Sequence, residues 1–589
     1  MFGDPDSPGA SRRWGAARAV RVERVAHATL AALFVVCAGT FAPAWRAIAS
    51  ELDEGGGRLP LETQDDPPDL STSITNGTSA AAAVGFGRFT SFQVNVGSTG
   101  LNITHDAANE PSLAVDPSNR NHIAVGWRQF DSVNSNFRQA GFGWSTDGGV
   151  SWTTGKIDPG LFRSDPVLGF DVEGRFFYAS ITSNLACSVF QSGNGGQSWS
   201  AGVAAYGGDK EWITNDRTGG IGHDQIYENW STDSNPYAPN TFSRSVDDGA
   251  TFQSPTAIPS APIWGTMDVG PDGTLYLVGT NANQDAIYVA RSSDARDRTQ
   301  SPSFTTVLVN LGGTIQTGGP NPVGLLGQLW IAVDRSGGPR NGWVYVLASV
   351  KTPTDPLDVM FIRSADGGQT WSAPVRVNDD PPGTRAFQWF GTMSVSPNGR
   401  IDAVWNDTRG STDSTKSALD YSYSVDGGVT WSANEQASPK WDSTIGWPRQ
   451  NKIGDYYHMI SRNDGTDLAW AATFNGEEDV YFLRIPSTVT AASDRVPPLR
   501  MSGGRPNPFH GSTIIRFEMP RDGGRAFLAV FDPAGRRVAT LVNGFVPGGA
   551  GSARWSGVDD AGRVVKSGLY LARLETAGRS ETTKLMLLR

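Results

Sequence analysis

Acidic, amide and aromatic side chains return at one position of this 589-residue chain, the opening of a short apolar run. The set is Asn109, Glu110, Asp165, Asp209, Lys210, Glu211, Trp264, Gln328, Gln388, Trp389, Asp455 and Tyr456. A second set stands where the next apolar run ends: Arg128, Asn184, Asn229, Asn281, Lys351, Asn406, Asp407 and Arg409. Amides and carboxylates bond sugar hydroxyls in pairs, and Trp or Tyr faces stack on the apolar side of a pyranose. Clustered carboxylates resist joint ionisation, so one is held protonated beside one that is charged. Glycoside cleavage uses such a pair. The candidate catalytic residues are therefore Glu110, Asp165, Glu211, Asp455 and Tyr456. The candidate substrate-binding residues are Arg128, Lys210, Trp264, Gln328, Gln388, Trp389, Asp407 and Arg409. The plainer alternative is that polar strand ends in a wet pore only satisfy backbone groups and bound water. No HExxH, Gly-rich phosphate loop or nucleophile elbow is present, and the six histidines are scattered, so neither a metal nor a cofactor is expected.

The elements that must position these residues repeat. "EPSLAVDPSNRNHIAVGW" at 110 is echoed by "SDPVLGFDVEGRFFYAS" at 164, "GTMDVGPDGTLYLVGT" at 265 and "GTMSVSPNGRIDAVWND" at 391, with three further copies at 210, 327 and 454. Each is an apolar strand, a polar turn and a second apolar strand. After six of the seven comes a third strand, an eight-residue turn and a fourth strand. The turns read "STDGGVSW" at 145, "SGNGGQSW" at 192, "SVDDGATF" at 245, "SADGGQTW" at 364 and "SVDGGVTW" at 424, with a degraded copy, "SSDARDRTQS", at Ser292. Four short strands repeated every 50 to 60 residues predict an all-β, seven-bladed β-propeller over 85–490, with both sets of polar residues on one face. The seventh unit lacks a fourth strand, and the orphan "FQVNV" at 92 to 96 is expected to supply it and close the ring.

The octets resemble the Asp box, S-x-D-x-G-x-x-W, of the bacterial neuraminidase repeat found in sialidases and other propellers. Paired glycines allow the tight turn, the Asp accepts bonds from the turn's own amides, and the terminal Trp or Phe anchors a blade edge. The resemblance implies a structural role on the face opposite the active site. It also raises an exo-sialidase reading, which needs an arginine triad, a Tyr–Glu pair and an Asp acid/base. Arg128, Arg409, Arg449, Tyr456, Tyr457 and Glu211 match in type. The family's R-I-P motif belongs before the first box, whereas "LRIP" here falls at 483 to 486, and sialidases have six blades.

The flanks differ from the repeats. Five arginines between 12 and 24 precede an apolar run from Val25 to Ala42 and a small-residue site before Ser50, so 1–49 reads as a cleaved secretory signal, with an uncleaved anchor as the alternative. Residues 50–84, rich in Gly, Pro, Asp and Ser, read as a flexible linker. Beyond a second linker at 491–504, residues 505–589 alternate apolar and polar between Gly-rich turns, which predicts a small Ig-like β-sandwich. "PNPF", "DPAGRRV", "WSGVDDAG", "SGLY" and "KLMLLR" make this tail similar to flagellar hook-capping Ig-like domains and type IX sorting tails. That likeness implies the type IX export machinery as a partner and a secreted or surface location. A net charge of −10 excludes nucleic acid as a partner. With Cys37 in the signal, Cys187 has no intramolecular disulfide partner. Three readings remain: a propeller binding glycan or another polymer, a glycoside hydrolase of sialidase type, and an adhesive protein-binding propeller.

Overall fold

The structure, a computed structural model, describes residues 76–232, 235–412, 414–488, 500–519, 524–546, 549–576 and 579–589. The expected signal at 1–49 lies outside them. Every element among the described residues is a β-strand, and no helix is long and apolar enough to cross a membrane.

Between 83 and 486 seven antiparallel sheets of three to five strands follow one another among the described residues, with a further two-stranded sheet of Thr317–Gly318 and Asn321–Leu325. The first is built in order from Ala107–Val115, Ile123–Phe130, Gln139–Ser145 and Thr153–Ile157. Its first two strands are buried throughout, while the fourth is mostly half-buried. A sheet covered on both faces needs apolar side chains at consecutive positions, which is why these strands read as continuous apolar runs. The first strand of each sheet neighbours that of the next, and His458–Arg462 of the seventh neighbours Ala107–Val115 of the first. In the third sheet the fourth strand shrinks to a single bridge between Phe242 and Thr256.

The seventh sheet contains His458–Arg462, Gly465–Ala472 and Asp479–Pro486, and its next strand comes from the other end of the chain. Phe89–Gln93 pairs with it in the register Ser91 to Leu483, Phe92 to Phe482 and Gln93 to Tyr481. Val94 N then donates to Val480 O at 2.8 Å, and Asn95 Nδ2 to Asp479 Oδ1 at 2.6 Å. The strand thus starts three residues before the expected Phe92. A fifth strand, Ala83–Phe86, pairs outside it, and Thr78–Ser79 pairs with Asn102–Ile103. Both Thr78–Ser79 and Ala83–Phe86 fall within the stretch 50–84 expected as a linker, of which residues 50–75 lie outside the described residues. Ala83–Phe86 alternates exposed and half-buried residues at a sheet edge, but its Ala, Val, Gly and Phe continue an alanine run with no polar alternation to mark a strand.

The octets are hydrogen-bonded cages. In the first, Ser145 Oγ donates to Asp147 Oδ1 at 2.8 Å and accepts Gly149 N at 2.9 Å, while Asp147 accepts the amides of Val150 and Ser151 and the Ser151 hydroxyl. The same bonds hold Asp366, where the Thr370 hydroxyl and amide keep the carboxyl well below the usual range. The degraded copy keeps its cage: Asp294 accepts Ser303 N at 2.9 Å, nine residues on instead of four, so an insertion is looped out. The second glycine has another duty besides its positive φ. A Cβ there would lie 2.2 Å from Phe482 at Gly149, 2.7 Å from Ala124 at Gly196 and 2.0 Å from Phe361 at Gly428. Each octet thus presses its backbone on the preceding sheet, and the first octet presses on the seventh. Trp152 is buried 5.6 Å from the Phe482 ring, whereas Trp371 is only half-buried. Trp152→Ala should cost about 3–5 kcal/mol in chemical unfolding and Asp147→Ala about 1. Similar costs for the two would remove the aromatic from its place as the anchor.

The tail forms two sheets. One holds Arg500–Arg505, Thr513–Met519 and Gly549–Trp555; the other holds Arg537–Val546, Gly524–Phe531, Gly568–Thr576 and Arg579–Leu587. Its first strand begins at Arg500, inside the expected linker 491–504. Phe509, Ile515, Leu528, Trp555 and Leu585 make a separate core. The "DPAGR" and "DDAGR" motifs are matching turns in which Asp532 and Asp559 accept the amides two and four residues on.

Candidate functional site

One residue at the start of each first strand has positive φ: Glu110 (49°), Asp165 (50°), Lys210 (55°), Trp264 (58°), Gly327 (133°), Phe390 (60°) and Gly454 (91°). Five are not glycine, and each such residue costs on the order of 1 kcal/mol or more, so the surroundings must hold them there. Where the register is visible, between Asn109 and Ser112, between Ser164 and Val167 and between Trp389 and Thr392, the feature is a bulge.

Three of the predicted carboxylates meet at one ammonium. Lys210 Nζ lies 2.6 Å from Asp455, 3.8 Å from Asp165 and 3.9 Å from Glu110. Arg128 Nη2 is 3.1 Å from Glu110, and Lys452 Nζ is 2.7 Å from Asp455 and 3.6 Å from Glu110. All six residues are buried. Burial pushes the Glu110 carboxyl up to about 8, against the pull of Arg128 and Lys210. Burial, with Asp165 and Glu228 nearby, holds Glu211 well above its usual range. Arg128 Nε donates to Asn109 Oδ1, and Asn109 Nδ2 to Glu478 Oε1 at 2.7 Å, which ties the first sheet to the seventh. The phenol of Tyr456 donates to Pro166 O at 2.9 Å. Lys452 was not among the sequence candidates, because it lies ahead of the strand in a loop.

The other candidates sit apart from this cluster. Trp389 is fully buried against Phe390 and Trp441, with its Nε1 donating to Ser417 Oγ. Trp264 is buried in an apolar core, and Gln328 is also buried. Gln388 Nε2 donates to Asp407, which is gripped by Trp405 Nε1 and Arg409. Arg409 reaches Asp379 at 2.6 Å and Asn434 at 2.9 Å, a cluster of the fifth and sixth sheets. The aromatic faces expected to stack on sugar are thus covered by protein.

Further along the same first strands the chemistry changes. Trp212, Trp330 and His458, from the third, fifth and seventh sheets, pack with ring centroids 5.3 to 5.7 Å apart. His458 Nδ1 is 2.8 Å from Ser112 Oγ, and burial, followed by Arg217, holds the imidazole at about 3, so it is neutral. Past this belt, where the first strands finish, lies a cavity of about 1010 Å³. Asn215, Ser394, Ser396, Arg217, Arg335 and Arg462 line it. Sequence reasoning missed this end. Its signal was a second repeat, "TNDRTGG" at 214 and "AVDRSGG" at 332. In both, the Asp accepts the amide two residues on, Thr218 N to Asp216 and Ser336 N to Asp334, so the turn carries its Arg at the strand's end.

No protein-family model matches the chain, and no curated protein matches it. Similar solved structures include the phage phi92 endosialidase, with a TM-score of 0.38 and 9% identity over 85% of this chain and 87% of that one. The Trypanosoma rangeli sialidase in complex with the inhibitor DANA gives 0.31 and 9%, over 87% and 89%. PorZ, a surface component of the type IX secretion system of Porphyromonas gingivalis, gives 0.30 and 11%, over 87% and 75%. All three are below a TM-score of 0.5, so they carry no functional argument here; the all-β architecture rests on the strands themselves.

Proposed function

We propose that the chain is an exported seven-bladed Asp-box propeller that binds a glycan or similar polymer in its axial channel. The ring is supported by the circular order of neighbouring first strands and by the bonds of Asn95 and Asn109 to Asp479 and Glu478. The observation that carries the binding reading is the cavity of about 1010 Å³ with an aromatic floor and hydroxyl, amide, carboxylate and guanidinium walls. Its size suits a saccharide unit or two. This reading puts the site at the octet end of the axis, where the cavity lies, and leaves the strand starts a structural role. The tail is proposed as an Ig-like domain serving type IX export, on the motifs named above. Thr214, half-buried on the wall of the cavity, provides the test. Thr214→Trp should fill the channel and weaken polysaccharide binding by at least about tenfold in calorimetry, with the melting temperature kept. Undiminished binding by this variant would move the site elsewhere.

A hydrolytic reading has one observation in its favour, the raised Glu110 carboxyl beside Asp165 and Asp455. It requires reducing-sugar release that Glu110→Gln abolishes.

A further inference from the structure

The octet end of the axial cavity is lined by five arginines (Arg120, Arg217, Arg296, Arg335 and Arg462) and four aspartates (Asp171, Asp268, Asp272 and Asp464). Arg217, Arg335 and Arg462 arrive from three different sheets, yet the whole chain carries −10. Among the described residues Arg217 makes no ion pair; its guanidinium lies over the Phe170 ring, 4.4 Å from the centroid. Burial, and then the charge of Arg335, push it down to about 10, with Arg462 adding to the effect. The acids facing it are Asp268 and Asp216. Asp268 is already taken by Arg335 at 2.6 Å and by Val333 N, and Asp216 holds Thr218. Elsewhere on the wall Asp171 is paired with Arg175 and Asp464 with Arg120, while Asp272 accepts the amide and hydroxyl of Thr274. Arg462 donates to Asp116 O at 2.7 Å, but its Nε has no hydrogen-bond partner among the described residues. Asn215, 4% exposed on the same wall, likewise has neither amide atom bonded. Like charges drawn together out of water destabilise one another unless an anion joins them. A planar guanidinium fork matches an oxyanion with two parallel bonds.

We propose that Arg217, Arg335 and Arg462, with Asn215, form an anion site that takes the carboxylate or sulfate group of an acidic polysaccharide. It rests on the channel-binding reading and names the ligand's chemical class. Neutral His458 closes the inner end without adding charge, so the cavity selects charge at the arginines and shape at the aromatic belt.

The test titrates the full chain with alginate oligosaccharides, dextran sulfate and neutral dextran at about 50 and about 300 mM salt. At least one acidic polymer should bind about tenfold or more tighter than dextran, weaken with salt, and lose about tenfold in Arg217→Gln with the melting temperature unchanged. Which acidic polymer binds separates a carboxylate ligand from a sulfate ester. Equal affinity for dextran, or no change in Arg217→Gln, overturns the anion site while leaving the channel intact if Thr214→Trp still blocks binding. Failure of all three polymers to bind overturns both. Should Arg217→Gln not fold, the wild-type thermal shift with glucuronate against glucose decides, and equal shifts overturn the proposal.

Discussion

A chain that begins at Asn76 should melt far above one that begins at Thr99. The two differ by the strand that completes the seventh sheet and the residues that lead into the first. Phe89, Val94 and Val96 are buried at 2%, 0% and 5% exposure, and burying three such side chains stabilises by about 5–9 kcal/mol. Removing them also bares the edge of Asp479–Pro486, whose Tyr481 and Leu483 pack in the core. A domain's whole net stability is about 5–15 kcal/mol, so the shorter chain should be largely unfolded at ambient temperature. Circular dichroism melts of the two forms check this. Coincident transitions would make Phe89–Gln93 an accessory strand and leave the seventh sheet held by its neighbouring sheets alone.

Lys210→Met should cost about 3–5 kcal/mol in urea unfolding, because it takes the shared cation from buried carboxylates. The Lys210 side chain is 5% exposed and Asp455 1% exposed, 2.6 Å apart. Lys156 and Asp131 form a pair of the same type at 2.5 Å, with side chains 30% and 54% exposed. Water screens that pair, and Lys156→Met should cost less than about 1 kcal/mol. Adding Asp165→Asn to Lys210→Met should restore part of the loss, since one stranded charge is then gone. Equal costs for the two lysines would mean that the Lys210 cluster is hydrated and open, which would return the strand starts to candidacy as a ligand site.

What the chain states about itself is what depends on neighbours in sequence. The octet cages join residues at most nine apart, so Ser, Asp and Gly at fixed spacing were enough to announce the turns, including the interrupted one at Ser292. Strands buried on both faces announce themselves as apolar runs, and the missing seventh partner was legible because "FQVNV" had no other place in the pattern. Ala83–Phe86 was not legible, since Ala, Val, Gly and Phe follow an alanine run there and no polar residue marks which face is half-buried. The same limit applied to the site. Trp389 has the composition of a sugar platform, but Phe390 and Trp441 cover its faces, and Trp441 lies 52 residues away. The carboxylates converge on Lys210 only because the first, second and seventh sheets bring them there. Which ends of the first strands are filled and which border a cavity was decided by side chains from different sheets meeting one another. Such a meeting leaves no mark at any single position: Trp212 and Trp330 face each other across 118 residues. Sequence alone determined the strands, the turns and the residues available for chemistry. Tertiary structure alone determined which of them water and a ligand can reach, because packing, unlike a turn, is a property of residues that are strangers along the chain.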